Sequence, residues 1–467
     1  MFPMNRAALA VALLTLAGCA SPPAGPPKAG GVTVPDAWSQ AAPAGSAALA
    51  QWWRGFGDPL LVQLVDDAQK ANTDLGIARA NLRQARALRE QAAAGLWPSL
   101  GVSVSAQRSR AAGASASGNL FNAGFDASWE PDIFGATAHG VAGNEAQAQA
   151  SAATLASTEV SVAAEVAVSY LQLRGTQARA AFARENLAAQ EQTLQIAQWR
   201  EQAGLGSSLE TSQARSAVEQ TRAQLLVLDA SALQTQHALA VLSGRPPAAL
   251  ATQFQAAAPW PQPPRGLALA IPAAVLRQRP DVLAAEWQWH AAAERVAQAD
   301  AQMLPAAQLR ASLAWSGVTL GSVGSLAAAR SLVASIGQTL FDHGARSAQR
   351  DAQRAALDAA SESYRASVLA ALRDVEDALS ALGASRERLV ALDAAEQATR
   401  DAALLANHRY ESGLIDFQTV LDTQRTLLNV QDSVASARTD VATNHVRLYK
   451  ALGGGWNPAA GTGESSL

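Results

Sequence analysis

Two long stretches of the chain carry apolar residues at every seventh position. A seven-residue step is typical of left-handed coiled coils, and no proline interrupts residues 136–245 or 306–457. We therefore predict two long helical hairpins, each with arms of about 69 residues that extend on the order of 100 Å. The repeated positions are Val166, Leu173, Ala180, Leu187, Leu194, then Val218, Leu225, Ala232, Leu239 in the first stretch, and Val368, Val375, Leu382, Leu389, then Val420, Leu427, Val434, Val441, Leu448 in the second.

Glycines divide each hairpin and reveal an internal repeat. Gly204 and Gly413 lie where each seam is interrupted, and glycine is the usual residue where a helix ends and the chain turns back. The two halves of the chain therefore share one plan. The recurring residues are Gly135, Gly204 and Gly244, which return as Gly344, Gly413 and Gly453 after 209 positions, and Asp74 and Pro98, which return as Asp281 and Pro305 after 207.

Short segments between the helices alternate apolar and polar residues, which predicts β-strands. Such segments of about ten residues are typical of outer-membrane barrels, although each alone fits a soluble sheet equally well. Four strands cannot close a barrel around a lumen, since the smallest such barrels need about eight, so we predict that several copies share one barrel. The apolar positions are Leu100, Val102, Val104 and Ala106; Phe121, Ala123, Phe125, Ala127 and Trp129; Leu309, Ala311, Leu313 and Trp315; and, least clearly, Leu332, Ala334 and Ile336.

These patterns divide the chain into two repeats with terminal extensions. The first repeat, 51–250, holds a helix, a β-hairpin at 99–133 and a long helical hairpin at 135–244. The second, 251–457, holds a helix, a β-hairpin at 306–341 and a long helical hairpin at 344–453. Before them lie a signal peptide at 1–18 and a tether at 19–50, and after them lies a tail at 458–467.

The N-terminus has the layout of a secretory signal peptide, with one basic residue and a short apolar run. The run ends at Leu16-Ala17-Gly18-Cys19, which resembles a bacterial lipobox, and Cys19 is the single cysteine of the chain. Ala20, in place of aspartate, favours the outer membrane by the same resemblance. No other stretch approaches the roughly 18 to 20 uninterrupted apolar residues of a transmembrane helix. We therefore expect strands to cross the membrane.

Composition narrows the function further. Among 467 residues, 36 basic and 39 acidic side chains give a formal charge of −3, which argues against a nucleic-acid surface. The six histidines are scattered, and no metal-binding, phosphate-binding or hydrolase motif is present. We therefore predict a structural or conduit protein that is not an enzyme and uses no cofactor or metal.

Several motifs in chain order resemble the TolC-like outer-membrane efflux factors, specifically the NodT-type lipoprotein branch that serves RND-type pumps. The resemblance implies an α+β membrane protein, a trimeric twelve-stranded outer-membrane β-barrel continued by a long periplasmic helical barrel. The equatorial belt would draw on 37–61, 246–271 and the C-terminal tail. The matching residues are Cys19, Trp129-Glu130-Pro131-Asp132-Ile133-Phe134-Gly135, Arg279-Pro280-Asp281-Val282, Arg409-Tyr410, Val420-Leu421-Asp422-Thr423-Gln424-Arg425 and Tyr449-Lys450-Ala451-Leu452-Gly453-Gly454-Gly455-Trp456.

The resemblance also implies a gate and a docking site. Asp422 would face the pore, where three carboxylates should attract cations and repel anions, and Arg425 would pair with a neighbouring acid. Gln418 stands where the family often has a leucine constriction, so Phe417 and Leu414 are candidate substitutes. A solvated helix face is the alternative for the charged pair. Adaptor docking is implied at the two helix turns, whose glycines also fit simple turn geometry; these residues are Gly204, Leu205, Ser207, Gly413 and Leu414.

The implied function is a passive, gated outer-membrane duct for small molecules such as drugs, toxic compounds or metal ions. Its implied partners are two further copies of the chain, a periplasmic adaptor, an inner-membrane RND pump and outer-membrane lipid. Two alternatives remain open at this stage. One is the outer-membrane duct of an ABC-type secretion system, and the other is a lipid-anchored periplasmic coiled-coil scaffold, which leaves the strand-like segments unexplained.

Overall fold

The computed structural model describes residues 34–39, 49–110, 118–254, 260–263, 275–276, 278–320 and 323–456. The predicted lipidation residue Cys19 and the predicted tail at 458–467 lie outside these ranges, as does most of the predicted tether.

Equivalent helices of the two halves have equal lengths. Helices α3 and α6 have 67 residues each, α4 and α7 have 35 each, and α2 and α5 have 22 each. The internal repeat is therefore confirmed. The elements are α1 (Pro59–Ala71), α2 (Thr73–Ala94), β1 (Ser99–Ser109), β2 (Gly118–Trp129), α3 (Ala136–Gln202), α4 (Ser208–Leu242), α5 (Pro280–Ala301), β3 (Ala306–Leu320), β4 (Val323–Gly337), α6 (Ala345–Glu411) and α7 (Phe417–Ala451), with short 3-10 turns at Leu49–Phe56 and Pro247–Leu250.

The predicted length of the hairpin arms holds for α3 and α6 but is wrong for the return helices. Helices α4 and α7 end after 35 residues. Gly244 and Gly453 follow with φ angles of +68° and +74°, a left-handed conformation that terminates a helix. The repeat had already identified these two glycines, and the structure shows that Gly244 ends α4 and Gly453 ends α7.

The chain divides into two compact units. The sheet unit comprises Asn81–Ala152 and Ala284–Ala366, and the helical unit comprises Thr33–Ala80, Ala153–Leu283 and Ser367–Leu467. Helices α3 and α6 contribute residues to both units.

The sheet unit contains one antiparallel sheet in the order β1-β2-β3-β4. The least clear prediction, the fourth strand, is confirmed as 15 residues of β4. Val102 lies opposite Phe125, which in turn lies opposite Leu313, so the apolar positions of neighbouring strands share one face. Val104 on this face is 80 % exposed and Leu326 is 79 % exposed. An apolar sheet face without protein cover fits contact with lipid.

The core of the helical unit follows the seven-residue seams. All of the predicted seam residues are buried or half-buried, which confirms their packing role. Tyr170 and Tyr449 are the largest fully buried side chains. Trp52 stacks on Tyr449 with ring centroids 5.3 Å apart, so the N-terminal 3-10 turn packs against the end of α7.

Two equivalent junctions join the ends of helices in the helical unit. In the first repeat, Asn72 donates from Nδ2 to the carbonyl oxygen of Leu242 over 3.0 Å. In the second repeat, Arg279 donates from Nη1 to the carbonyl oxygen of Ala451, also over 3.0 Å. Each polar side chain precedes a helix of its repeat and satisfies a carbonyl at the end of another, which would otherwise lack an intrahelical partner.

The Arg279 junction is the more highly charged of the two. Arg279 is 7 % exposed, pairs with both carboxylate oxygens of Asp281 at 3.0 and 2.7 Å, and reaches Asp374 at 3.2 Å. Burial by itself lowers the pKa of Arg279, but its hydrogen bonds and charge interactions with the two aspartates outweigh burial and raise that pKa. Arg279 thus stays charged while it joins α5, α6 and α7.

Within the described residues, one helix is long and apolar enough to cross a membrane by length and composition alone. This helix is α4, whose best 18-residue window has a mean hydropathy of 1.3. From the sequence we expected no such segment, because isolated polar residues such as Asp229 interrupt the apolar runs of α4. The mean hydropathy of an 18-residue window tolerates such interruptions, so α4 meets this second criterion. Leu226 and Val227 of α4 are 68 % and 69 % exposed in the single chain.

Candidate functional site

The turns that join α3 to α4 and α6 to α7 have the same geometry. The amide of Leu205 donates to the carbonyl of Arg200 over 2.8 Å, and that of Leu414 donates to the carbonyl of Arg409 over 2.8 Å. Gly204 and Gly413 have φ angles of +75° and +71°. This pattern is a Schellman turn, which satisfies carbonyls at a helix end and reverses the chain.

Capping residues then start the return helices. Ser207 accepts a hydrogen bond from the amide of Glu210, and Asp416 accepts one from the amide of Thr419 over 2.8 Å. Serine and aspartate are favoured N-caps because their side-chain oxygens satisfy free helix amides. Hydrogen bonds from the hydroxyl of Thr419 and, to a smaller extent, from its amide lower the pKa of Asp416, so this cap remains ionised.

Both turns present leucine to solvent. Leu205 is 72 % exposed and Leu414 is 73 % exposed, at positions separated by the 209-residue repeat. Trp199 is a third large apolar side chain near the first turn and is 60 % exposed. Of the docking residues predicted from sequence, Leu205 and Leu414 thus occupy equivalent exposed positions, while the glycines provide the turn and Ser207 caps a helix.

A small apolar core packs behind the turns. It is formed by Ala197, Ala214, Ala217, Tyr410, Phe417, Val420 and Leu421, which we call the tip cluster. The rings of Tyr410 and Phe417 lie 5.4 Å apart. Phe417 is only 3 % exposed, so in this conformation it supports the turn and does not present the apolar surface that a constriction requires. Leu414 does present such a surface.

Three side chains connect the two hairpins at the tip cluster. The Arg200 guanidinium lies over the Tyr410 ring, 4.9 Å from its centroid, and the Tyr410 hydroxyl donates to Glu210 over 3.4 Å. Burial, together with the nearby Glu210, raises the pKa of Tyr410 against the opposing effect of Arg200. Tyr410 belongs to a motif that the sequence shows, but its partners Arg200 and Glu210 were missed. No local pattern indicates partners about 200 positions away along the chain.

Three of the four predicted gate residues of α7, all except the buried Phe417, lie together on one exposed helix face. Gln418 donates from Nε2 to Oδ1 of Asp422 over 3.1 Å, and Arg425 approaches the same oxygen at 4.0 Å. The side chain of Asp422 is 60 % exposed and that of Arg425 is 48 % exposed. The acid nearest to Arg425 is therefore Asp422 itself, one helical turn away.

Buried hydrogen bonds join α3 to α7 behind this face. Gln424 donates from Nε2 to the Thr193 hydroxyl over 3.0 Å, and Asn186 donates to Oε1 of Gln431 over 2.7 Å. All four residues are less than 9 % exposed. The packing between α3 and α7 near the tips therefore includes polar contacts that can exchange partners. An all-apolar seam would instead be stabilised by packing alone.

His445 is a further buried polar residue of α7. It is 1 % exposed, and its Nε2 lies 2.8 Å from Nη2 of Arg386. Because arginine can only donate, His445 must accept and is therefore neutral. Burial, and then the charge of Arg386, lower the pKa of His445 from 6.5 to about 4.

We expect His445 to make the protein acid-sensitive. Between pH 6.5 and about 4 the unfolded chain binds a proton at this site that the folded chain does not, so stability falls as the pH falls through this window. The loss should approach roughly 3 kcal/mol per chain. Thermal unfolding at pH 7.5 and 4.5 should show a smaller pH effect in His445→Gln, which keeps an acceptor for Arg386. Equal pH effects in both proteins would contradict the assignment.

The chain is similar to known proteins along most of its length. The model of the outer membrane efflux protein family matches residues 64–245 and 271–454, one segment in each repeat. The pyoverdine export outer membrane protein OpmQ of Pseudomonas aeruginosa is 34 % identical over 469 residues, with 97 % of each chain covered. The toluene efflux pump outer membrane protein TtgF of Pseudomonas putida is 30 % identical over 421 residues, covering 87 % of this chain and 85 % of TtgF.

A solved structure shows the same fold. The outer-membrane channel OprN superposes with a TM-score of 0.81 and 33 % identity, covering 91 % of this chain and 100 % of the OprN chain. The resemblance inferred from the motifs is therefore confirmed, as are outer-membrane location and a channel fold with long helices and a four-stranded sheet. With both repeats matched and full-length relatives at this identity, the chain belongs to the outer membrane efflux protein family, whose members are channels that serve as outer-membrane components of efflux pumps.

Proposed function

We propose that the protein is a passive, gated duct that works as a homotrimer and exports small molecules handed over by an inner-membrane RND-type pump through a periplasmic adaptor. The observation that carries the proposal is the pair of equivalent helix turns with Leu205 and Leu414 exposed at matching positions. Exposed leucines on rigid turns are suited to packing against an apolar partner surface. Each copy would offer two such turns to the adaptor.

Two features support the homotrimer. A four-stranded sheet leaves β1 and β4 as unpaired edges, which a membrane does not tolerate; three copies in one barrel would pair all of them. Helix α4 exposes Leu226, Val227 and Leu233 in the single chain. Apolar surface of this kind is normally covered in an assembly.

The gate would move by rotation of the helical hairpins around the axis of the trimer. The contacts of Tyr410 with Arg200 and Glu210 would hold one hairpin against the other in the closed state. The buried amide and hydroxyl contacts between α3 and α7 would re-form after a small shift, because side-chain hydrogen bonds contribute only about 0.5–1.5 kcal/mol net each. Adaptor binding at the turns would supply the free energy that shifts the equilibrium.

Asp422 is the residue whose replacement tests the gate most directly. In a planar bilayer, Asp422→Ala should raise the single-channel conductance or lower the preference for cations, because three carboxylates around the axis would be lost. Asp440→Ala is the matched control, since Asp440 is an ion-paired acid of the same helix with a side chain 46 % exposed. Conductance and selectivity equal to the wild-type values would remove Asp422 from the gate.

The cargo of the duct would be set mainly by the pump. The names of the two relatives refer to pyoverdine export and toluene efflux, and these compounds differ greatly in size and polarity. The fold that this chain shares with both relatives is therefore compatible with very different cargo. For this protein we propose small molecules as the cargo class.

Photocrosslinking in living cells tests the function. A photoreactive amino acid replaces Ser207 at the first turn, and a matched control carries it at Ser231, an exposed position of α4, the helix that Ser207 caps. Capture of an RND-pump adaptor at Ser207 but not at Ser231 would support the proposal. An ABC-exporter adaptor would assign the protein to secretion instead, and absence of any partner at Ser207 would contradict adaptor docking at this turn.

Lipid attachment at Cys19 completes the proposal. The anchor would hold the N-terminus at the membrane, and incorporation of labelled palmitate is the measurement. Labelling that persists in Cys19→Ser would contradict it.

A further inference from the structure

The polar face of the sheet carries one acid and one base. Phe125 lies opposite Val102 and Leu313, which defines the apolar face. Because side chains alternate along a strand, Asp126, next to Phe125, and Arg310, three positions before Leu313, belong to the opposite, polar face. The other residues of this face in the four described strands are uncharged, mostly serine, glycine and alanine. Asp126 and Arg310 therefore define its charge pattern.

The two charges lie at different levels along the strands. Asp126 lies opposite Ser312, and Arg310 lies opposite Ser128. Because Ser312 is two residues beyond Arg310 in β3, the two levels are separated by about 7 Å. Strand β3 begins at Ala306, shortly after the end of α5. Arg310 is therefore nearer to the helix end of the sheet, and Asp126 is nearer to the hairpin connections.

The two charges do not neutralise each other by direct contact. Asp126 accepts a hydrogen bond at Oδ2 from the Ser103 hydroxyl over 3.1 Å. Ser103 belongs to β1, which borders β2 on the side away from β3, so this carboxylate is engaged away from Arg310. Both charged residues are exposed. Among the residues that the structure describes, the Arg310 guanidinium has no hydrogen-bond or ion-pair partner, so it is available to a solute.

A shallow groove surrounds the guanidinium. It has a volume of about 440 Å³, and its lining includes Arg310, Asp126 and the serines Ser128, Ser312 and Ser331. The hydroxyls of Ser312 and Ser331 lie 2.8 Å apart. Because only one of them donates in that bond, the other keeps a proton for a further hydrogen bond. A cation with hydroxyl donors beside it suits an anionic group such as a carboxylate or a phosphate.

We propose that Arg310 is a specificity-determining residue of the duct and favours the passage of anionic small molecules. The inference rests on the proposed homotrimer, because in a barrel closed by three copies the apolar face would contact lipid and the polar face would line the lumen. Three copies of Arg310 would then form one ring and three copies of Asp126 a second. Rings of charged side chains set the ion selectivity of pores, and a solute that arrives from the helices meets the Arg310 ring first.

The size of the effect follows from the distance over which a charge acts. In water, a unit charge about 7 Å away changes the local concentration of a monovalent ion by a factor of about 2–3. Salt screens this field over about 10 Å at 0.1 M and about 3 Å at 1 M. The Arg310 ring therefore attracts anions at its own level, although the Asp126 ring opposes it one level further along, and the attraction weakens as salt is added.

Reversal potentials of the full-length protein in planar bilayers test the Arg310 ring. In a potassium chloride gradient near 0.1 M, Arg310→Gln should lower the permeability ratio of chloride to potassium by a factor of about two. Arg310→Lys, which keeps the charge, should retain the wild-type ratio, and Asp126→Asn should raise it. Potassium benzoate as the salt of an organic carboxylate should give the same order of variants. All differences should shrink near 1 M salt.

The matched control is Arg330→Gln. Arg330 lies opposite Leu313, on the apolar face, so this variant removes the same charge from the other side of the sheet and should leave the permeability ratio unchanged.

Several results would overturn the role of Arg310. They are a wild-type ratio in Arg310→Gln, an equal change in Arg330→Gln, a loss in Arg310→Lys as large as in Arg310→Gln, and a shift of Asp126→Asn in the same direction as Arg310→Gln. Trimer formation is measured separately by chemical crosslinking. A chain that forms no trimer would refute the proposed function, whereas trimers whose selectivity ignores Arg310 would refute only this inference.

Discussion

Arg279→Ala should destabilise the protein by about 3 kcal/mol per chain, because the buried guanidinium makes charge-assisted hydrogen bonds, which contribute about 1.5–3 kcal/mol each, and because the carbonyl of Ala451 is left without this donor. The substitution removes the hydrogen bond to the carbonyl of Ala451 and both contacts with Asp281. It also removes the ion pair with Asp374. Thermal unfolding followed by circular dichroism should show a large decrease in the transition temperature, with loss of trimer at the temperature of growth as a second readout.

Arg373→Ala is the matched control for Arg279. Arg373 pairs with the same Asp374 at 3.1 Å, but its side chain is 70 % exposed. Exposed ion pairs contribute about 0–1 kcal/mol, so this variant should unfold close to the wild-type temperature. Equal effects of the two substitutions would show that burial and the Ala451 carbonyl contribute nothing to the role of Arg279.

The pH dependence of the Arg279 cluster has a definite sign. Burial by itself raises the pKa of Asp281, but the hydrogen bonds and charge of Arg279 outweigh burial and lower it below 3.8. The stability that this carboxylate contributes is therefore present above that pH and is lost as the pH falls through the lower folded-state pKa.

Gly244→Ala should destabilise the protein by on the order of 3 kcal/mol, combining backbone strain with a steric clash. Gly244 has a φ angle of +68°. A Cβ atom there would lie 2.4 Å from the carbonyl oxygen and 2.8 Å from the Cβ of Ala71. The clash is with the end of α1, which Asn72 fixes to the end of α4. The measurement is the unfolding temperature together with the yield of folded protein in the membrane.

Gly204→Ala separates the two causes. Gly204 has a φ angle of +75°, and a Cβ atom there would meet nothing within 4 Å. This variant should therefore cost only the backbone strain, about 1–2 kcal/mol. If Gly204→Ala and Gly244→Ala unfold at the same temperature, the close approach to Ala71 has no energetic weight.

The fold was predictable wherever the spacing of apolar residues within a single segment indicates its secondary structure. Heptad spacing indicated α3, α4, α6 and α7 because a helix seam repeats along one segment, and alternation indicated β1 to β3 because side chains alternate along one strand. The fourth strand was least clear because Arg330, on the apolar face, and Val333, on the polar face, interrupt a simple alternation, yet pairing with β3 along 15 residues defines it. The hydrogen-bonded pairing with β3 therefore defines a strand that the pattern of its own sequence predicts only weakly.

The candidate site was only partly predictable. The turns at Gly204 and Gly413 and the adjacent exposed leucines follow from local sequence, and the Gln418, Asp422 and Arg425 face follows from helical spacing. Phe417 could be placed at the start of a helix, but its burial depends on Tyr410 of another helix. Arg200 and Glu210 had no sequence signal, because their contacts with Tyr410 join distant segments.

By itself, the sequence determined the repeat, the helices and turns, the alternating strands and the family, since each depends on spacing within a segment or on ordered motifs. Only the tertiary structure decided which polar residues are buried and with which partners. Asn72 and Arg279 occupy equivalent junctions but differ in charge, and Gln424 finds its buried partner Thr193 only because α7 packs against α3. The physical reason is that burial and charge pairing depend on surfaces brought together from residues far apart in the chain, for which local periodicity carries no information.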